Sequence, residues 1–131
     1  MAGEGCIFCR VVRGEILSHK VYEDGKYVAI LDIFPIVDGQ TLVIPKRHTQ
    51  SYIFDVDDAE VGELMGAAKK VAKMLERGLG VNRINLIFEG LDVDHLHAKL
   101  YPGPLGTRVG KRADDRDLER IAKRIKGVGS K

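Results

Sequence analysis

Two periods alternate along the chain. Between positions 57 and 79, Val61, Leu64, Met65, Ala68, Val71, Ala72 and Leu75 recur at i, i+3, i+4, i+7 spacing, which predicts one long amphipathic helix. Asp57 with Glu60 resembles a capping box that uses Asp in place of Ser or Thr, and Gly80 is placed to stop the helix. A second, shorter helix is expected over 114–126. It carries Leu118, Ile121, Ala122 and Ile125 on one side and is followed by Gly127. A short helix over 6–13, ended by Gly14, is expected near the start.

Elsewhere the pattern is that of strands. HKVYED (19–24) and YVAILDI (27–33) flank Gly25-Lys26, a short glycine-containing turn. The unbroken apolar run in the second predicts burial on both faces. Pro35 breaks it, Asp38-Gly39 marks another turn, and TLVIP (41–45) reads as a third strand. RINLIFE (83–89) and HLHAKLYP (95–102) read as two more, joined by a tight Gly-Leu-Asp loop. Five short strands with turn-length connections favour an antiparallel sheet. One long and one shorter helix would cover it, an α+β fold.

Composition narrows the classes. A chain of 131 residues, 44% hydrophobic, fits a single domain over 1–131 that buries a core without disulfides. The formal charge of +2 names no nucleic-acid or membrane partner. The basic excess sits after Gly103 and reads first as a solvated helix face. With 6% aromatic residues and no tryptophan there is no stacking platform for nucleic acid. No transmembrane run and no secretory leader is evident, and two cysteines in such a chain point to the reducing cytoplasm.

Those cysteines form CIFC, Cys6 to Cys9. A redox role needs a strand before the motif, and only five residues precede it. Two inert thiols, or half of a zinc site, remain. The chain has four histidines, at 19, 48, 95 and 97. Two of them would close a Cys2His2 sphere with no open position, and spacing does not say which. A catalytic metal with an open position ranks lower; its general base would be Glu89, Asp92 or Asp94, by proximity only.

DHLHAKLYP (94–102) carries the other signal. On a strand, His95, His97 and Lys99 share one face, successive pairs about 6.5–7 Å apart, with Leu96, Ala98 and Leu100 on the other. The plain alternative is a solvated edge strand. If a metal takes His95, His97 is left as a free imidazole in a groove, able to attack phosphorus. The Lys99 charge keeps it neutral, by roughly 2 kcal/mol at ~7 Å and an effective dielectric near ~20.

With these residues on the page, the chain resembles the histidine-triad (HIT) family over roughly 4–102. CIFCRVVRGEI resembles its N-terminal zinc segment. VYEDGKYVAILDIFPIVDGQTLVIPKRH resembles its E-D…A-x-x-D-I-x-P…G-H-T-L-V-I-P-K-x-H block, and HLHAK stands where the family has H-x-H-x-H. The resemblance implies a HIT-like α+β homodimer with a nucleotide in a groove beside the H-x-H strand. It implies structural zinc on Cys6, Cys9, His48 and His95. His97 becomes the nucleophile, forming a nucleotidyl-histidine intermediate on the α-phosphate, and Asp32 and Ile33 line the nucleoside pocket.

Two departures stand out. Lys99 replaces the third histidine; it can still hold phosphate but does not titrate near neutrality. Gln40 replaces the histidine of G-H-T-L and can still hydrogen-bond a ligand or the backbone. The expected function is a hydrolase or nucleotidyltransferase acting on a phosphoanhydride or phosphoramidate. Its substrate would be a purine nucleoside phosphate, a dinucleoside polyphosphate or an adenylylated amine. The competing expectation is a zinc-stabilised nucleotide-binding protein with little or no catalysis.

Overall fold

A computed structural model describes residues 5–105 and 110–128. Residues 1–4 of the expected zinc segment, and Arg108 and Lys131 of the basic tail, lie outside them. In chain order the elements are α1 (Ile7–Val12), β1 (Lys20–Glu23), β2 (Tyr27–Leu31), β3 (Thr41–Pro45), a 3-10 turn (Ile53–Asp55), α2 (Asp58–Leu79), β4 (Ile84–Ile87), β5 (Ala98–Pro102) and α3 (Asp115–Val128).

The first hairpin is closed by a side chain. Asp24 Oδ1 accepts from the amides of Lys26 and Tyr27 at 2.8 and 2.7 Å, which turns the chain between β1 and β2. All pairings are antiparallel, and the sheet order is β1-β2-β3-β5-β4. β3 and β5 thus become neighbours although α2 and β4 lie between them in sequence.

β2 is buried on both faces, as its apolar run predicts, and so is β3. Tyr27, Ala29 and Val43 meet Leu64, Ala68, Val71 and Leu75 of α2. Val28, Ile30, Leu42 and Ile44 meet Phe8 and Val11 of α1 on the other side. Leu64 is fully buried. Leu64→Ala should therefore cost about 2–5 kcal/mol, read as a lower midpoint of urea unfolding at unchanged slope.

Four expectations need correction. Asp57 makes no side-chain cap; Glu60 instead accepts from the Thr49 hydroxyl at 2.8 Å, so the reciprocal box is lost to a partner 11 residues away. The β4–β5 connection runs over 88–97, with β5 starting only at Ala98. The amide of Leu96 donates to Thr49 O at 2.8 Å, outside the sheet ladder. α3 runs through Gly127, and its Leu118, Ile121 and Ile125 stay 45–62% exposed, so α1 rather than α3 serves the second face of the sheet.

Candidate active site and metal centre

The segment entering β5 sends its two histidines to different places. His95 is fully buried, and its Nε2 donates to the carbonyl of Pro45, the last residue of β3, at 2.8 Å. That contact turns Nδ1 towards the start of α1. Cys6 is the N-cap of this helix and Cys9 lies one turn on, its amide donating to Cys6 Sγ at 3.4 Å. A C-x-x-C across a helix start brings both sulfurs to one side. His95 Nδ1 is 3.3 Å from Cys6 Sγ, 3.4 Å from Cys9 Sγ and 3.2 Å from His48 Nδ1, and Cys9 Sγ is 3.2 Å from His48 Nδ1.

This donor set fits a tetrahedral cation. Zinc would separate sulfur from nitrogen by roughly 3.5 Å and nitrogen from nitrogen by roughly 3.3 Å. Here all four ligand atoms lie within 4.8 Å of one another. The protonation chemistry agrees. Burial, then the neighbouring Cys6, pushes the Cys9 thiol up to about 11, so a thiolate there needs a cation beside it. Burial pushes His95 below its ordinary value, which keeps it a neutral ligand.

His97 points the other way. Its Nδ1 donates to the carbonyl of His95 at 2.7 Å, and Phe8 packs against its ring edge-on, with centroids 5.0 Å apart and planes at 83°. With Nδ1 engaged, Nε2 is left to the groove that the residue lines. Burial, then the Lys99 charge, lowers its pKa against the opposing pull of the backbone hydrogen bond, Asp32 and Asp92. The ring is only 4% exposed, less open than the alternation of polar residues implies. It is the floor of the groove rather than a side chain standing in it.

The groove has a volume of about 600 Å³. Its apolar lining includes Ile16, Leu17, Ile33, Phe34, Ile36 and Leu42; Ile33 is 73% exposed and so belongs to the groove and not to the core. Its polar lining includes Glu89, Asp92, Lys99, Tyr101 and His97, and Leu42 stands opposite Lys99 across the β3–β5 ladder. Lys99 Nζ lies 3.7 Å from Glu89 Oε1. Asp32 lines the same groove. Its Oδ1 accepts from the Phe34 amide at 2.9 Å and its Oδ2 from Gln40 Nε2 at 2.6 Å.

The sequence-derived residues are thus brought together in two adjacent clusters: Cys6, Cys9, His48 and His95 in one, and Asp32, Ile33, Gln40, His97 and Lys99 along the other. Phe8, between the two cysteines, touches both histidine rings and was not singled out; only its place inside C-x-x-C pointed to it. Glu89, weighed in the sequence only as a base beside a metal, stands instead against Lys99.

Comparison with known proteins places this geometry. The HIT domain family model matches residues 13–103. The protein hit of Bacillus subtilis is 36% identical over 135 residues, covering 93% of this chain and 92% of that one. Adenosine 5′-monophosphoramidase HNT1 of Candida albicans is 32% identical over 130 residues, covering 90% and 85%. The crystal structure of a HIT family member from Bacillus subtilis superposes with a TM-score of 0.78 at 30% identity, over 98% of this chain and 99% of that one. A match across most of the chain in both sequence and fold makes this protein a member of the HIT family.

Proposed function

We propose that the chain is a nucleotide hydrolase or nucleotidyltransferase that cleaves a phosphoanhydride or phosphoramidate through a covalent intermediate on His97. The observation that carries the reading is the pairing at His95: its ring joins the cysteine cluster while its carbonyl takes the His97 Nδ1 proton. The lone pair on Nε2 is left to attack the α-phosphorus. As the new N–P bond forms, the bond to the leaving group breaks and the leaving group takes that electron pair. Water or another acceptor then attacks the same phosphorus, the N–P bond breaks with its electron pair returning to Nε2, and the acceptor's proton passes to the leaving group or to solvent. Lys99 exchanges Glu89 for a phosphate oxygen and neutralises charge developing there. Asp32 accepts the ribose hydroxyls, and Ile33 and its apolar neighbours receive the base.

Cys6, Cys9, His48 and His95 would hold zinc. Held by these residues, it would tie α1 to the sheet and keep His95 out of the reaction. At the level of the family, the monophosphoramidase relative supports a hydrolase-type enzyme acting on nucleotides. A homodimer belongs to the same reading. β4 ends the sheet, and its half-buried Ile84–Ile87 edge suits pairing with a second copy. The free thiols suit a reducing cytoplasm.

The direct test is to trap the intermediate. Brief incubation with a labelled adenylyl donor, then digestion and mass spectrometry, is expected to give an acid-labile nucleotidyl adduct on the peptide containing His97. The second reading, a nucleotide-binding protein without turnover, is favoured by Lys99 being already paired with Glu89. It predicts bound nucleotide with neither adduct nor product.

A further inference from the structure

Gln40 is buried, 4% exposed, at the start of β3, and both ends of its amide are used inside the chain. Its Oε1 accepts from the Ile36 amide at 2.8 Å, and its Nε2 donates to Asp32 Oδ2 at 2.6 Å. Its main chain closes the same loop: the Asp32 amide donates to Gln40 O at 2.9 Å and the Gln40 amide to Val37 O at 3.2 Å. One side chain therefore fixes the carboxylate plane of Asp32 and the wall that carries Ile33, Phe34 and Ile36.

From this geometry we infer that Gln40 is a positioning residue for sugar recognition. It acts through Asp32 and does not contact the nucleotide. The inference rests on the nucleotide reading above and deepens it. A carboxylate offers about four lone-pair directions. Phe34 N–H takes one on Oδ1 and Gln40 N–H takes one on Oδ2, so one direction on each oxygen is left for a vicinal pair of ribose hydroxyls. Without the amide donor the carboxylate can rotate about its own bond, and the two free directions no longer match a cis-diol.

The test separates alignment of Asp32 from simple maintenance of the loop, and it reads binding rather than turnover. AMP and 2′,3′-dideoxy-AMP are titrated calorimetrically into the wild type and into Gln40→Glu. Gln40→Glu keeps the oxygen that accepts from Ile36 but puts a second carboxyl beside Asp32, so Gln40→Met, which removes the donor without adding charge, is titrated alongside and must show the same selective loss. The expected result is a loss of about tenfold in AMP affinity, the scale of one hydrogen bond to a charged group, with dideoxy-AMP affinity within about twofold of wild type. Gln40→His, which restores a donor, should recover most of the AMP loss.

An unchanged ratio of AMP to dideoxy-AMP affinity in Gln40→Glu overturns the inference. Equal weakening of both ligands overturns it as well, because that marks a collapsed wall. A wild type that binds both ligands equally removes the Asp32–ribose contact, while a His97 adduct would still stand. A wild type that binds neither ligand removes the nucleotide reading itself.

Discussion

His97→Ala is expected to lower turnover by on the order of 10⁴-fold or more while the protein keeps one bound metal per chain. The size follows from what is removed. Without the imidazole no covalent intermediate forms, and water must attack phosphorus unassisted. In the proposed reaction Lys99 and Asp32 would remain to bind and orient the substrate, so some rate enhancement should persist. The loss should appear in kcat with KM little changed, and pre-steady-state quenched flow with substrate in excess should show no burst of leaving group. Metal content, measured by mass spectrometry of the intact protein, reports on Cys6, Cys9, His48 and His95, none of which is touched. A variant with wild-type turnover would mean that the nucleophile lies elsewhere in the groove.

The second large effect concerns the cysteine cluster. Cys9→Ser is expected to abolish metal retention and to lower Tm by more than about 10 °C. Cys9 is buried and shares its surroundings with His48 and His95, so losing the cation leaves polar donors facing one another in a dry site. Structural zinc in small peptides supplies about 10–16 kcal/mol of folding free energy. Here the apolar contacts of Phe8 and Val11 carry part of the α1 docking, so a fraction of that figure is expected. A loss of several kcal/mol at roughly 3–4 °C each gives the stated shift. Calorimetric melting with and without a chelator, in wild type and variant, checks it. A chelator-treated wild type should melt like the variant, and readdition of zinc should restore only the wild type. An unchanged melting temperature would show that α1 is held by its apolar side alone.

The parts of the structure that were legible in the sequence are those set by local periodicity. The α2 spacing and the apolar runs of β2 and β3 each name an element, because burial repeats at the pitch of the element itself. The parts that escaped depend on partners far along the chain. Thr49 takes Glu60 away from a cap, and Thr49 O and Pro45 O hold the 95–97 segment outside the sheet ladder. Neither effect has a local signal. The Cys/His cluster lies between these cases. C-x-x-C was visible, but choosing among four histidines needed the family pattern, since His48 and His95 are 47 residues apart and meet only through the β3–β5 neighbourhood. The exposure of a groove residue is likewise not a property of its own segment: His97 is covered by Phe8, which arrives from the first helix.

The carbonyl of His95 has a consequence for how such a protein can drift over evolutionary time. The acceptor that orients His97 is main-chain, and every amino acid supplies one. A lineage could therefore replace the ring at position 95, shed its cysteines and lose the cation without erasing the contact that sets the tautomer two residues on. The four-residue cluster and the orientation of His97 are therefore separable, provided the segment entering β5 stays where it is.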